Sequence, residues 1–479
     1  MATTSLGINV FGHVYAESGV GEHTRLLVAA LAEAGIAHQV FPLTDTDSRQ
    51  RGEFAGRAGG EPSYPVHLVS LNADRIEAFY RERGPSFFAD RYTIGLWAWE
   101  VEEFPDWLAE QARYVDEIWA NSHFSARAIA ARVSVPVHAF PLPVAEPRGP
   151  FLSRQELGLG DEFLVLFALD FDSIPARKNP AAAVAAFRTA FTPGEGPRLL
   201  VKSVNADRHP RAFAELRAAA GEHPDIEFRD GYLDPPVQAS LMNACDVYLS
   251  LHRSEGFGLT LAEAMALGKP VVATAYSGNL DFMSDDTAYL VPFRFRDIGP
   301  GQGPYPVFGR WAEADVESAA RALREIWGAP EAARERGQRA RKAILEAHGL
   351  AARVPFLTAR ATAIAERLAA GWQRAPVTMT AEQYGEALLR HGPTLSSLGS
   401  WPRRLRAWAE RFRSADRAHR QELDRALLAQ PRQVAAEVAR IVARQERADL
   451  DRYVAELADR VAALEAGSSD PSGAKPRRS

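Results

Sequence analysis

Cysteine is almost missing from this chain: its 479 residues include one, Cys245. A single thiol cannot close an intramolecular disulfide or build a cysteine-rich metal centre, and it fits a reducing compartment. Also absent is any run of about 18–20 apolar residues, the length a membrane-spanning helix needs. The first residues, MATTSLGINVFG, carry no basic segment followed by an apolar one, so no secretory leader is expected and the expected location is the cytoplasm. An excess of positive charge is lacking too. Lys and Arg number 56 against 61 Asp and Glu, a net charge of −5 that argues against a general nucleic-acid binder. What is present is 46% apolar residues on a chain too long for one core, so two or more domains are expected.

Apolar runs alternate with helical patterns along most of the chain. Strand candidates LGINVF, AHQVFPL, PVHLVSL, YTIGLWAW and DEIWAN are separated by helices such as EHTRLLVAALAEAG, which ends at Gly35, and SARAIAARV. Residues 141–150, PLPVAEPRGP, carry four prolines. Such a stretch is neither regular helix nor central strand, and it reads as an interdomain linker. The alternation then restarts at FLVLFALD and runs through PRLLVKSV, IEFRDGYL, VYLSL and KPVVATA, with helices between. Two mostly parallel α/β domains follow from this pattern, over residues 1–145 and 151–350, with ligands expected beyond the carboxyl ends of the strands. Residues 351–376 read as a helix crossing back toward the first domain, 380–465 as a helical extension, and 466–479 as a compositionally disordered tail.

The segment Arg253-Ser254-Glu255-Gly256-Phe257-Gly258-Leu259-Thr260-Leu261-Ala262-Glu263 carries the most chemistry. It follows a buried strand, opens through glycines and enters a helix. Free backbone N–H groups and the helix dipole at such a point favour an anion. The two carboxylates would repel a phosphate and suit hydroxyls instead. A diphosphate flanked by sugar and ribose hydroxyls satisfies both demands. A plainer reading has Glu255 pairing with Arg253 and Glu263 on the surface, but Glu263 is embedded among Leu261, Ala262, Ala264 and Met265, where a carboxylate needs a partner.

EGFGLTLAEAMALGKPVVAT closely resembles the Glu-x7-Glu signature of retaining GT-B glycosyltransferases, the class of sucrose synthase-like and phosphatidylinositol mannosyltransferase-like enzymes. The resemblance extends over roughly residues 6–370. It implies an α/β fold of GT-B architecture, with two Rossmann-like domains facing a cleft, here joined to a C-terminal helical extension. It also implies retaining transfer of a hexose from a nucleotide-sugar to a saccharide or lipid-linked acceptor, with no cofactor and no nucleic-acid partner. By that resemblance Glu255 contacts the donor sugar, Glu263 the ribose, the backbone of Gly256, Phe257, Gly258 and Leu259 the phosphates, and the Gly231-Tyr232-Leu233 stretch the nucleobase.

Further clusters fit that scheme. Arg177-Lys178-Asn179-Pro180 follows a strand end; Pro180 suits the first helical position with Asn179 as its N-cap, and the two cations suit the developing charge of a diphosphate leaving group. Many relatives carry an arginine where this chain has Asp172 or Ser173, so Arg177 is expected to take that role, with Lys202 a weaker candidate. Gly19-Val20-Gly21 resembles the glycine loop that approaches the donor phosphates. In Leu96-Trp97-Ala98-Trp99-Glu100 the family's His-Asp pair is missing. Glu100 is expected to orient or deprotonate the acceptor hydroxyl, with Trp97 and Trp99 as a sugar-stacking wall; the aromatics could equally pack at the domain interface, and His13 or His123 could replace the missing histidine. The triplets Asp45-Thr46-Asp47 and Asp170-Phe171-Asp172 are short enough to arise by chance, and no metal role is expected.

Beyond residue 376 the chain is rich in Ala, Arg, Glu and Leu. Trp401, Leu405, Trp408 and Phe412 recur at helical spacing amid arginines, a pattern for a helix lying on an anionic membrane face or docked on the catalytic body. Leu450, Val454, Leu457, Val461 and Leu464 make about two heptads, so 434–464 is a candidate for homo-oligomer contact. Two competing readings are a GT-B nucleotide-sugar 2-epimerase and an inactive GT-B scaffold.

Overall fold

The computed structural model describes residues 6–374, save 55, 57, 58 and 148. The extension 380–465, the tail 466–479, the membrane-face candidate 401–420 and the oligomerisation candidate 434–464 therefore lie outside the described residues. Residues 6–77 with 86–374 form one compact unit, and 78–85 group apart from it.

The first lobe contains β1 (Ile8–Gly12), α1 (Gly19–Glu33), β2 (His38–Pro42), β3 (Val66–Ser70), α2 (Ala73–Arg83), α3 (Pro85–Phe88), β4 (Tyr92–Trp97), α4 (Asp106–Ala109), β5 (Glu117–Ala120), α5 (His123–Ala130) and β6 (Val137–Ala139). Its strands form one parallel sheet in the order β2-β1-β3-β4-β5-β6. Strands β1, β3, β4 and β5 are buried at every position, as expected of parallel strands covered on both faces.

The second lobe contains β7 (Leu164–Asp170), α6 (Pro175–Lys178), α7 (Pro180–Ala190), β8 (Arg198–Val204), α8 (Pro210–Ala220), β9 (Ile226–Asp230), α9 (Pro235–Ala244), β10 (Val247–Ser250), α10 (Leu259–Ala266), β11 (Val271–Thr274), β12 (Tyr289–Val291), β13 (Phe293–Asp297), β14 (Arg310–Ala314), α11 (Val316–Gly328) and α12 (Pro330–His348). The parallel sheet runs β12-β11-β10-β7-β8-β9. The chain order therefore reverses between β7 and β10, and a crevice opens where the connections leave in opposite directions. Strands β13 and β14 make a separate antiparallel hairpin, Phe293 opposite Ala314 and Asp297 opposite Arg310, which the sequence pattern did not suggest.

Among the described residues, two chain crossings join the lobes. Phe140 packs in the core of the first lobe, and Leu142 and Val144 pack in the second. The return is made by α13 (Val354–Ala369), whose Leu357 and Ile364 enter the first lobe's core. Beside the outgoing crossing, Val144 N–H donates to the His348 carbonyl at 2.7 Å. The return is pinned by a buried carboxylate. Glu117 is fully buried and accepts from Tyr92 Oη at 2.9 Å, from Trp119 Nε1 at 2.6 Å and from Arg360 of α13.

Removing one partner of a buried ion pair strands the other charge. Arg360→Met keeps the apolar volume but leaves Glu117 without its cation. It is expected to destabilise the protein by about 3 kcal/mol, read by calorimetry as a lowered melting temperature; a melting curve that matches wild type would show that Tyr92 and Trp119 hold Glu117 unaided.

Candidate active site

The reversal between β7 and β10 gathers the charged groups. After β10, His252, Arg253 and Ser254 lead to Glu255, which is 8% exposed. After β7, the turn Phe171–Ser173 leads into α6, which carries Arg177 and Lys178. Arg177 Nη1 donates to Glu255 Oε2 at 3.0 Å and to the Ser254 carbonyl at 2.9 Å; Lys178 Nζ donates to Glu255 Oε1 at 2.6 Å. Each carboxylate oxygen thus has its own cation. Burial pushes the Glu255 carboxyl up, but Lys178 and Arg177 outweigh it and hold it down at about 2.

The backbone around this cluster is held in unusual conformations. Ile174, Asn179 and Ser277 all have positive φ, at 59°, 54° and 80°, a cost tolerated where the surroundings fix the chain. Pro180 does begin α7, but Asn179 gives no side-chain cap. It is left-handed, and its amide donates to the Leu251 carbonyl at 3.0 Å, stitching the basic turn to the end of β10. Ser277 Oγ accepts from Glu255 N–H at 2.8 Å, and Gly278 N–H donates to the Glu255 carbonyl at 2.9 Å. Behind them His252 is fully buried, with Ser250 at one ring nitrogen and Asn279 at the other, each at 3.1 Å.

Gly258, with φ 97°, is the N-cap of α10, a conformation that favours glycine. Among the described residues, the N–H groups of Gly256, Phe257, Gly258 and Leu259 have no paired acceptor. Four amides at a helix start beside two cations form an anion-attracting corner.

Other predicted residues divide among three places. Glu263 acts electrostatically with Glu22 and Arg25 of α1, so the start of the glycine-loop helix faces it across the cleft. A side chain at Gly19 would meet open space, whereas one at Gly21 would strike the Ala16 carbonyl at 2.1 Å. Gly21 is thus needed for the turn itself. Lys202 does not join the Arg177–Lys178 pair: its ammonium donates to the Ser203 carbonyl at 2.7 Å and to that of Gly231. Tyr232 donates to Asn205 Oδ1 at 3.1 Å, and the Arg49 guanidinium of the first lobe lies 4.4 Å from its ring centroid. Leu233 packs on the core of the second lobe.

The stacking wall needs correction. Trp97 and Trp99 are 1% and 3% exposed. Trp97 stacks on Phe104 at 6.2 Å, and Trp99 meets Phe104 and Tyr305 edge-on at 5.2 and 5.5 Å. Neither ring face is open to a sugar: Trp97 packs against Phe104 of its own lobe, and Trp99 packs between the lobes. Glu100 does reach the charged cluster: it acts on both Arg177 and Lys178, and its Oε2 accepts from Tyr305 at 3.1 Å. Its carbonyl accepts from Ser254 Oγ, across the cleft. His13 is buried with Nδ1 3.2 Å from the Leu43 carbonyl, and His123 pairs with Asp281 at 3.1 Å.

Tyr305, Ser277, Asn279 and Arg49 were not singled out in the sequence, and Ser254 was named there without a role. Gly278 was a missed clue, since its hydrogen in place of a side chain lets the loop pass the Gly256 carbonyl. Among the described residues no group of three His, Cys, Asp or Glu could hold a metal ion. Asp45 pairs with Arg75, Asp170 with Asn205, and Asp172 with Arg208 and His209.

Paired Rossmann lobes with a charged site at the reversal point of the second sheet define the GT-B glycosyltransferase fold. Anabaena HepE, solved with UDP and glucose, superposes with a TM-score of 0.53 at 14% identity, covering 76% of this chain and 100% of that one. The sucrose-phosphate synthase of Thermosynechococcus elongatus gives 0.56 at 18% identity, covering 75% and 100%. Residues 126–354 match the family described as family 4 glycosyltransferase in conflict systems. The D-inositol 3-phosphate glycosyltransferase of Stackebrandtia nassauensis is 34% identical over 157 residues, 31% of this chain and 34% of that protein. The lipopolysaccharide core mannosyltransferase LpsB of Rhizobium meliloti is 34% identical over 122 residues, 25% and 30%. The chain thus spans about a third of the length of these curated relatives.

The two acids of the motif have opposite pH signatures. Burial pushes the Glu263 carboxyl up to about 8, with Glu22 adding and Arg25 opposing. The folded protein then keeps a proton that the unfolded chain releases above its ordinary 4.5, so this contribution falls as pH rises from 4.5 and is gone above 8. The Glu255 contribution is present above 4.5 and lost as pH falls through 2. Glu263→Gln is expected to remove a downward slope in melting temperature between about pH 5 and 8. Parallel wild-type and variant curves would place Glu263 in a solvated setting.

Proposed function

We propose that the protein is a retaining hexosyltransferase that moves a sugar from a nucleoside diphosphate to an acceptor hydroxyl, in the synthesis of a polysaccharide or glycolipid. The observation that carries this reading is Glu255 held between Arg177 and Lys178 beside the amide-rich start of α10. The two cations suit the diphosphate and the carboxylate suits sugar hydroxyls. In this state the carboxylate offsets one of the two positive charges. On donor binding, Arg177, Lys178 and the amides of 256–259 turn to the phosphates, and Glu255 turns to the sugar. Glu263 meets the ribose, and the Gly231–Leu233 backbone meets the base.

The bond from the anomeric carbon to the phosphate oxygen breaks as the acceptor oxygen attaches from the same face. The acceptor proton passes to the departing phosphate, so no enzymatic nucleophile is required. Arg177 and Lys178 stabilise the charge that gathers on the leaving group, and Glu100 orients the acceptor hydroxyl. No metal is needed in this scheme. The relatives' names, an inositol phosphate glycosyltransferase and a mannosyltransferase, support a hexose donor and a hydroxyl acceptor.

Thermal shift against UDP, GDP, ADP and their sugars should raise the melting temperature with one nucleotide. Glu255→Gln and Arg177→Ala should each lower kcat by roughly 10²–10³-fold. NMR should show the product keeping the donor's anomeric configuration, with turnover unaffected by EDTA. An inverted product, or no binding of any nucleoside diphosphate, would defeat the proposal.

A further inference from the structure

Tyr305 belongs to the loop between β13 and β14, 205 residues from Glu100 in sequence. It is 7% exposed, and its ring lies edge-on to Trp99 and Trp311, with centroids at 5.5 and 6.2 Å. Both neighbours are themselves fixed. Trp99 Nε1 donates to the Glu103 carbonyl at 3.2 Å, and the Arg253 guanidinium stacks 5.6 Å from the Trp311 ring. Arg253 also bonds to Glu313 and to the Ala176 carbonyl, one residue before Arg177. The phenol is therefore mounted on the same frame as the Arg177–Lys178–Glu255 cluster. Glu100 is gripped twice from the second lobe: at its carbonyl by Ser254, which precedes Glu255, and at Oε2 by Tyr305. Among the described residues its other oxygen, Oε1, has no hydrogen bond.

We propose that Tyr305 is a positioning residue for the acceptor step: its hydroxyl fixes Oε2 of Glu100 and leaves Oε1 for the acceptor hydroxyl. This rests on the glycosyltransferase reading and on the place it gives Glu100. Because phenol and carboxylate come from opposite lobes, the acceptor group is set only when the lobes are together.

A double-mutant cycle tests it. UDP-glucose, UDP-N-acetylglucosamine, GDP-mannose and ADP-glucose are screened by thermal shift. The binder is then used to follow nucleoside diphosphate release, with water as acceptor, in wild type, Tyr305→Phe, Glu100→Gln and the double variant. Tyr305→Phe should leave donor Kd within about twofold, lower kcat by about tenfold, and lower it no further when Glu100→Gln is present. Should Tyr305→Phe lose its melting transition, the same cycle is run with Tyr305→His, where a ring donor should keep part of kcat and the loss should again vanish alongside Glu100→Gln. Full kcat in Tyr305→Phe, or equal losses in both backgrounds, overturns the role of Tyr305 while donor binding stands. Failure of all four donors to bind overturns the glycosyltransferase reading and this inference with it.

Discussion

One buried carboxylate governs the layout of the second lobe. Glu255 cannot be taken out of water alone; the desolvation cost of an ionised group is several kcal/mol even after relaxation. Two cations with one oxygen each meet that cost, and they can do so only if the ends of β7 and β10 adjoin. The chain reversal between those strands supplies the adjacency. The three non-glycine residues with positive φ nearest the cluster, Ile174, Asn179 and Ser277, lie in the turns that deliver Arg177, Lys178 and the Glu255 backbone. Local strain is thus spent where side-chain placement has least freedom.

The same pairing has a chemical consequence. Arg177, Lys178 and Glu255 together carry one surplus positive charge, and Glu100 lies close enough to cancel it. The resting cluster is therefore close to neutral and tolerates burial. On the proposed function, a diphosphate entering beside the amides of 256–259 would offer the cations a stronger partner and free Glu255 for hydroxyls. Tight mutual satisfaction before binding and readiness to exchange partners follow from one arrangement, because every group in it has a counterpart on the proposed donor.

Much of the architecture was readable because parallel strands buried on both faces read as apolar runs, and helices between them keep a helical period. The strand–glycine–helix setting of Glu255 and Glu263 was readable for the same reason, since loop and helix are contiguous. Long-range partners were not readable. Tyr305 lies in a Gly- and Pro-rich stretch with no periodic signal, and its meaning comes from residues some 205 positions away. Aromatic residues near a strand end read equally well as a binding wall or as packing; the fit of Trp97 against Phe104 decides for packing. Asn179 looked like a cap because its neighbour is proline, yet its amide donates instead to the Leu251 carbonyl, 72 residues on. Lys202 was assigned by its place at a strand end, which fixes the backbone but not the direction of a flexible four-carbon stem.

The contacts between the lobes bear on how such a site would work. They include Ser254 to the Glu100 carbonyl, Tyr305 to the Glu100 carboxylate, Asp281 to the start of α5 at His123, and Arg49 over Tyr232. Nearly all involve loops at the carboxyl ends of strands, the loops that also carry the charged cluster. The two crossings, by contrast, are anchored by buried groups such as Glu117 and by core residues such as Leu357 and Ile364. Firm attachment at the crossings and polar contact at the cleft would let the lobes separate without unfolding either one. Separation would break the cleft contacts together, and with them the grip on Glu100. On the proposed function, closure and the assembly of the acceptor site are then one event: a donor bound to the second lobe alone would lack the group that orients its attacker until the first lobe arrives.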